Sequence, residues 1–75
     1  MDPAQLTKMA NQIGAFFESM PDAEQATRDV ASHIRRFWEP RMRAGLEAHV
    51  ATVGDAELKP IVRAALKLLA SGSSS

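Results

Sequence analysis

The sequence predicts an all-α fold, a small bundle of about four short helices. Three observations carry this. Large apolar residues recur at spacings of three and four. Prolines and capping aspartates (Asp2-Pro3, Pro21-Asp22, Pro40, Pro60) cut the chain into four segments. No stretch alternates apolar and polar residues as a half-buried strand would. The 75 residues make one domain, placed at 1–70. The low-complexity tail 71–75 (SGSSS) is expected to be disordered.

The first helix opens at Pro3, with Asp2 as cap and Gln5 completing a capping-box-like pattern. Leu6, Met9, Ile13, Phe16/Phe17 and Met20 form its apolar stripe. Gly14 costs about 1 kcal/mol against alanine in a helix, so its presence, with Ala10 one turn earlier, points to a close helix approach. Pro21 ends the segment.

Asp22 caps the second helix, with Gln25 at the capping-box position. Ala26, Val30, Ile34 and Phe37 are expected inward, with Ala31 and Trp38 on the flank. Glu24–Arg28 and Arg35–Glu39 are spaced for weak ion pairs, and Asp29–His33 for a local hydrogen bond. Pro40 starts a third helix, carrying Met42, Leu46, Val50 and Val53 inward until Gly54 stops it. Residues Asp55–Lys59 connect to a fourth helix from Pro60, with Ile61, Val62, Ala65, Leu66 and Leu69 on its apolar side.

Composition narrows the function. There is no cysteine, which removes disulfides, thiolate metal sites and a cysteine nucleophile. Nine basic residues balance nine acidic ones, against the positive excess usual for nucleic-acid binders. No apolar run approaches the ~20 residues of a membrane span, and the N-terminus lacks the features of a secretory signal; the expectation is a soluble cytoplasmic protein. His33 and His49 lie near apolar stripes without metal-binding spacing, and neither a nucleophile elbow nor a phosphate loop occurs. Catalysis by this chain is not expected, and no catalytic, metal or cofactor-binding residue is assigned.

The stretch His33–Arg43, HIRRFWEPRMR, holds four arginines and the only tryptophan. Arg35 and Arg36 end the second helix, where cations suit the helix dipole. Arg41 and Arg43 open the third, where positive charge is unfavourable by some tenths of a kcal/mol. Tryptophan and arginine are the residue types most enriched at interface hot spots. Arg35, Arg36, Trp38, Arg41 and Arg43 are therefore read as partner-binding. Phe17 joins them, because neighbouring phenylalanines on a helix diverge by about 100° and a thin bundle buries only one of the pair. The rival reading is a basic-patch helical module that binds nucleic acid, with Pro40 between two helices.

The segments Met9–Gly14 with Phe16-Phe17, His33–Arg43, and Leu58-x-Pro-x-Val-Arg-x-Ala-Leu together resemble the delta subunit of soluble NAD-dependent formate dehydrogenase, from Leu6 to about Leu69. The chain departs from that family's frequent residues at Glu39 (aspartate) and Lys59 (serine, a helix cap before Pro60). The resemblance implies a non-catalytic accessory subunit that docks on the alpha subunit and supports its assembly, stability or cofactor maturation. It also implies that the partner complex, through its alpha, beta and gamma subunits, carries bis-molybdopterin guanine dinucleotide with molybdenum or tungsten, iron–sulfur clusters, FMN and NAD. None of these is implied for the delta chain.

Overall fold

The computed structural model describes residues 2–71. They form four helices, α1 (Pro3–Glu18), α2 (Ala23–Phe37), α3 (Pro40–Val53) and α4 (Pro60–Ser71), and no strand among those residues. The all-α expectation holds. Helix α4 runs one residue into the expected tail, and 72–75 lie outside the described residues.

The helix boundaries follow local chemistry. Asp2 Oδ1 accepts from the Ala4 N–H at 3.0 Å, and Asp22 Oδ1 from the Gln25 N–H at 3.1 Å. Each satisfies one of the donors that a helix start leaves open. Trp38 and Glu39 are extended (ψ 136° and 150°), as the clash with the Pro40 ring requires of Glu39. Gly54 ends α3 at φ 89°, a conformation natural to glycine.

Helices α2 and α4 form the most extensive pair, α1 touches the other three, and α3 packs chiefly on α1. The centre is filled by Leu6, Val30, Ile34, Leu46 and Val62, each almost wholly buried. Helix α1 reaches α4 through its small residues. A Cβ built on Gly14 would come within 2.7 Å of Val62 Cγ2 and 3.0 Å of Ile61 Cγ2, and Ala10 beside it is fully buried. This is the close approach that Ala10 and Gly14 predicted.

The sequence pattern does not reveal a second tie between α1 and the last connector. Asn11 Oδ1 accepts from the Lys59 N–H at 2.9 Å, and Asn11 Nδ2 donates to the Glu57 carbonyl at 2.9 Å. Lys59 Nζ lies 3.4 Å from Glu18 Oε1. The start of α4, which lacks a serine cap, is thus held from outside by an amide 48 residues earlier. Leu58, in the same connector, is buried in the core.

Several sequence expectations need correction. Trp38 is buried at 7% exposure while Phe37 stands 67% exposed, the reverse of the expected order. Helix α2 stops at Phe37, and the extended turn that Pro40 imposes sends Trp38 into the core. Val53, expected inward, is exposed, because α3 buries only Leu46 fully. The Glu24–Arg28 and Arg35–Glu39 pairs do not form: the ion pairs among the described residues are Lys59–Glu18 and His49–Glu57. Arg28 Nη2 donates instead to Gln25 Oε1, and Gln25 Nε2 to Asp29 Oδ1. Asp29 is thus engaged away from His33, whose Nδ1 is buried without a hydrogen-bond partner.

Two outcomes follow from the contacts of α1. Gly14→Ala gains helix propensity of about 1 kcal/mol, but its methyl strikes the stiff β-branched Val62, and overpacking of this kind costs about 1–3 kcal/mol. The variant is expected to unfold at a lower temperature than wild type when followed by circular dichroism. Asn11→Ala leaves the Lys59 N–H and the Glu57 carbonyl without their partner and should cost about 1–2 kcal/mol, read as faster amide exchange at Lys59.

Candidate docking surface

An apolar groove of about 590 Å³ opens where α1, the end of α2 and the first turn of α3 meet. Helix α1 supplies Met9, Gln12, Ile13, Phe16 and Phe17; α2 supplies His33 and Phe37; Trp38 and Met42 complete the lining. The groove follows from how α1 is turned. Its inward line is Leu6, Ala10 and Gly14, spaced four apart. At about 100° per residue, Phe16 lies ~120° around the helix from Ala10. Met9 and Phe16 of the predicted stripe therefore fall at the margin of the bundle, while Leu6 stays in the core. Met9, Ile13 and Phe17 are half-buried, and Phe16 is 74% exposed.

The rings form a continuous series. Phe16 and Phe17 meet edge to face with centroids 5.0 Å apart. Phe17 lies 6.4 Å from His33, and His33 lies 4.7 Å from Phe37. The Arg36 guanidinium carbon stands 5.8 Å from the Phe37 ring centre, within range of a cation–π contact. All three phenylalanines of the chain thus share one concave face. Single exposed apolar side chains are ordinary; here two exposed rings, Phe16 and Phe37, belong to one continuous series.

The structure places the predicted partner-binding residues unequally. Phe17 lines the groove, but Phe16 is the more exposed of the pair. Trp38 also lines it, yet its indole belongs to the core and forms the back of the hollow. Arg36 reaches the groove through Phe37. Arg41 and Arg43 flank Met42 in the first turn of α3, with Arg41 exposed and Arg43 half-buried. Arg35 is set apart: it lines a separate shallow hollow with Arg28, Ser32 and Leu68. Among the described residues, the side chains of Arg35, Arg41 and Arg43 make neither a hydrogen bond nor an ion pair, and the groove lining contains no carboxylate. Only Phe17 and Trp38 of this lining are assigned from the sequence, which misses the other residues of α1, His33, Phe37 and Met42. The signal that could have found the groove is the Ala10–Gly14 line, which marks the side of α1 that approaches its neighbours and so displaces Met9 and Phe16.

The lining offers little for chemistry. One imidazole is its only titratable group. Among the described residues, no cluster of three or more histidines and carboxylates could hold a metal ion. No helix among them is long and apolar enough to cross a membrane. The arrangement suits recognition by burial, with cations at the border.

A model of the FdsD family, described as the NADH-dependent formate dehydrogenase delta subunit, matches residues 5–66. Neither a curated protein nor a solved structure gives a significant match to the chain.

The groove and the core behind it should respond differently to mutation. Phe16→Ser and Phe37→Ser, at exposed positions, are expected to change stability by no more than about 0.5 kcal/mol. Trp38→Ala empties a core site and should cost about 3–5 kcal/mol. Urea unfolding of the three variants measures both.

Proposed function

This chain belongs to the NADH-dependent formate dehydrogenase delta-subunit family, and on that premise we propose that it is a non-catalytic subunit whose groove docks on the alpha subunit. The observation that carries the reading is the open aromatic groove, with Phe16 74% and Phe37 67% exposed. Interface cores are enriched in aromatic residues, methionine and arginine, and these are the types found here. The contacts assigned to the partner are Phe16, Phe17 and Phe37 in the groove, with Arg36, Arg41 and Arg43 beside it and Trp38 as its floor. Arg35 would serve a second, separate contact.

Docking of this kind supports assembly, stability or cofactor maturation of the alpha subunit without chemistry in the delta chain. The partner complex is proposed to carry bis-molybdopterin guanine dinucleotide, iron–sulfur clusters, FMN and NAD, with beta and gamma subunits completing it in the cytoplasm. The residues lining the groove are apolar apart from Gln12 and His33, which favours a protein surface over any of these cofactors as the bound species.

Co-purification tests the reading. Tagged wild-type chain, co-expressed with the alpha subunit, is expected to retain it through washing. The double variant Phe16→Asp, Phe37→Asp should lower retention at least tenfold, about 1.4 kcal/mol, with an unchanged helical circular dichroism spectrum. A wild-type chain that never retains the alpha subunit overturns the reading. Full retention by the double variant moves the interface off the groove.

A further inference from the structure

We propose that the occupant of the groove is an acidic amphipathic α-helix, presented by the docking partner inferred above. The proposal rests on that docking reading and adds the chemistry of what enters the groove.

Backbone satisfaction is the first argument. Any segment that enters brings its own N–H and C=O groups, which must be paired once water is excluded. The groove cannot pair them. Its walls are mainly helix faces whose main-chain groups are bonded internally, the uncapped first turn of α3 excepted, and no sheet edge exists among the described residues to accept an added strand. Its polar side-chain groups are limited to Gln12, His33 and the indole N–H of Trp38. A segment that satisfies its backbone by itself, an α-helix, is the occupant that avoids this cost. It would set apolar side chains at i, i+3 or i+4, and i+7 against Phe16, Phe17 and Phe37.

Charge gives the second argument. Arg36 and Arg41 are exposed and Arg43 is half-buried. None of the three is paired with a carboxylate among the described residues, and the lining supplies none. Arg41 and Arg43 also sit in the first turn of α3, which holds no acidic residue of its own and where the dipole disfavours cations; Glu39 at the N-cap forms no ion pair with either. A partner rich in Asp and Glu beside its apolar stripe relieves both conditions. A second copy of this chain does not: a two-fold contact through this face sets the same patch against itself, cation against cation.

Photo-cross-linking in the co-expressed complex tests this. Phe16 or Phe37 is replaced singly by p-benzoylphenylalanine, and the captured peptides are identified by mass spectrometry. Both positions are expected to capture one segment of the alpha subunit. That segment should show the apolar spacing above and more Asp and Glu than Lys and Arg. Capture of a basic segment, of one without helical spacing, or of a second delta chain overturns the proposal. So does an intact complex with no capture at either position, an outcome that leaves association with the alpha subunit standing but moves the interface off the groove. Failure to form any complex sinks both. A charge exchange gives a second readout: Arg36→Glu with Arg41→Glu should lower retention at least tenfold, and Lys in place of acidic residues in the captured segment should restore it to within threefold. Absence of restoration removes the electrostatic part of the proposal.

Discussion

At Gly14 the backbone of α1 lies so near α4 that a single methyl would press on Val62. That contact sets the rotation of α1 about its own axis. A helix that packs through Leu6, Ala10 and Gly14 cannot also turn Met9 and Phe16 inward, because they lie about 100–120° around its circumference from Ala10. Close backbone approach stabilises the bundle through dense packing, and its geometric result is a margin of large apolar side chains left partly in water. The amide of Asn11, on the same helix, fixes the Glu57–Lys59 connector and so the entry of α4. The groove is therefore a product of how the core is packed, not a separate feature laid on it.

The second constraint is the turn between α2 and α3. Two extended residues before a proline redirect the chain and exchange the fates of neighbouring aromatic rings. Trp38 goes inward and Phe37 outward. Phe37 then meets His33 and carries Arg36 beside it. One local backbone event thus supplies the floor of the groove, part of its wall and one of its bordering cations. This is where a chain of zero formal net charge acquires a locally positive character. Long-range attraction between whole molecules plays little part in such an arrangement, since charges beyond about 10 Å are screened at ordinary salt.

Much of the fold was legible because its punctuation is chemical and local. Asp2, Asp22, Pro40, Gly54 and Pro60 each act within a few residues, and every helix begins or ends where they place it. The closeness of α1 to a neighbour was readable from Ala10 and Gly14. The family was legible from the motif around Trp38 and is the one matched over residues 5–66. Other features depend on distant partners. At helical spacing both Phe37 and Trp38 follow Ile34, and only the path beyond the helix end decides between them. Val53 fits the period of α3, yet no neighbouring helix covers it and it stands exposed. Asn11 pairs with groups 46 and 48 residues away, a relation no periodicity encodes. The arginines were read as one cluster from their closeness in sequence, but Arg35 projects to the α2–α4 side.

Helix α3 is tied to the rest chiefly through α1 and by one fully buried side chain, Leu46. Its first turn has no side-chain cap. Segments with so few buried contacts open at lower free energy than the whole molecule does. Because Met42 is the contribution of α3 to the groove, one wall stands on the least anchored element while the facing wall stands on α1. The hollow is thus built like a vice with one sliding jaw, and methionine, unbranched and polarizable, is the side chain best suited to take up differences in the girth of whatever is gripped.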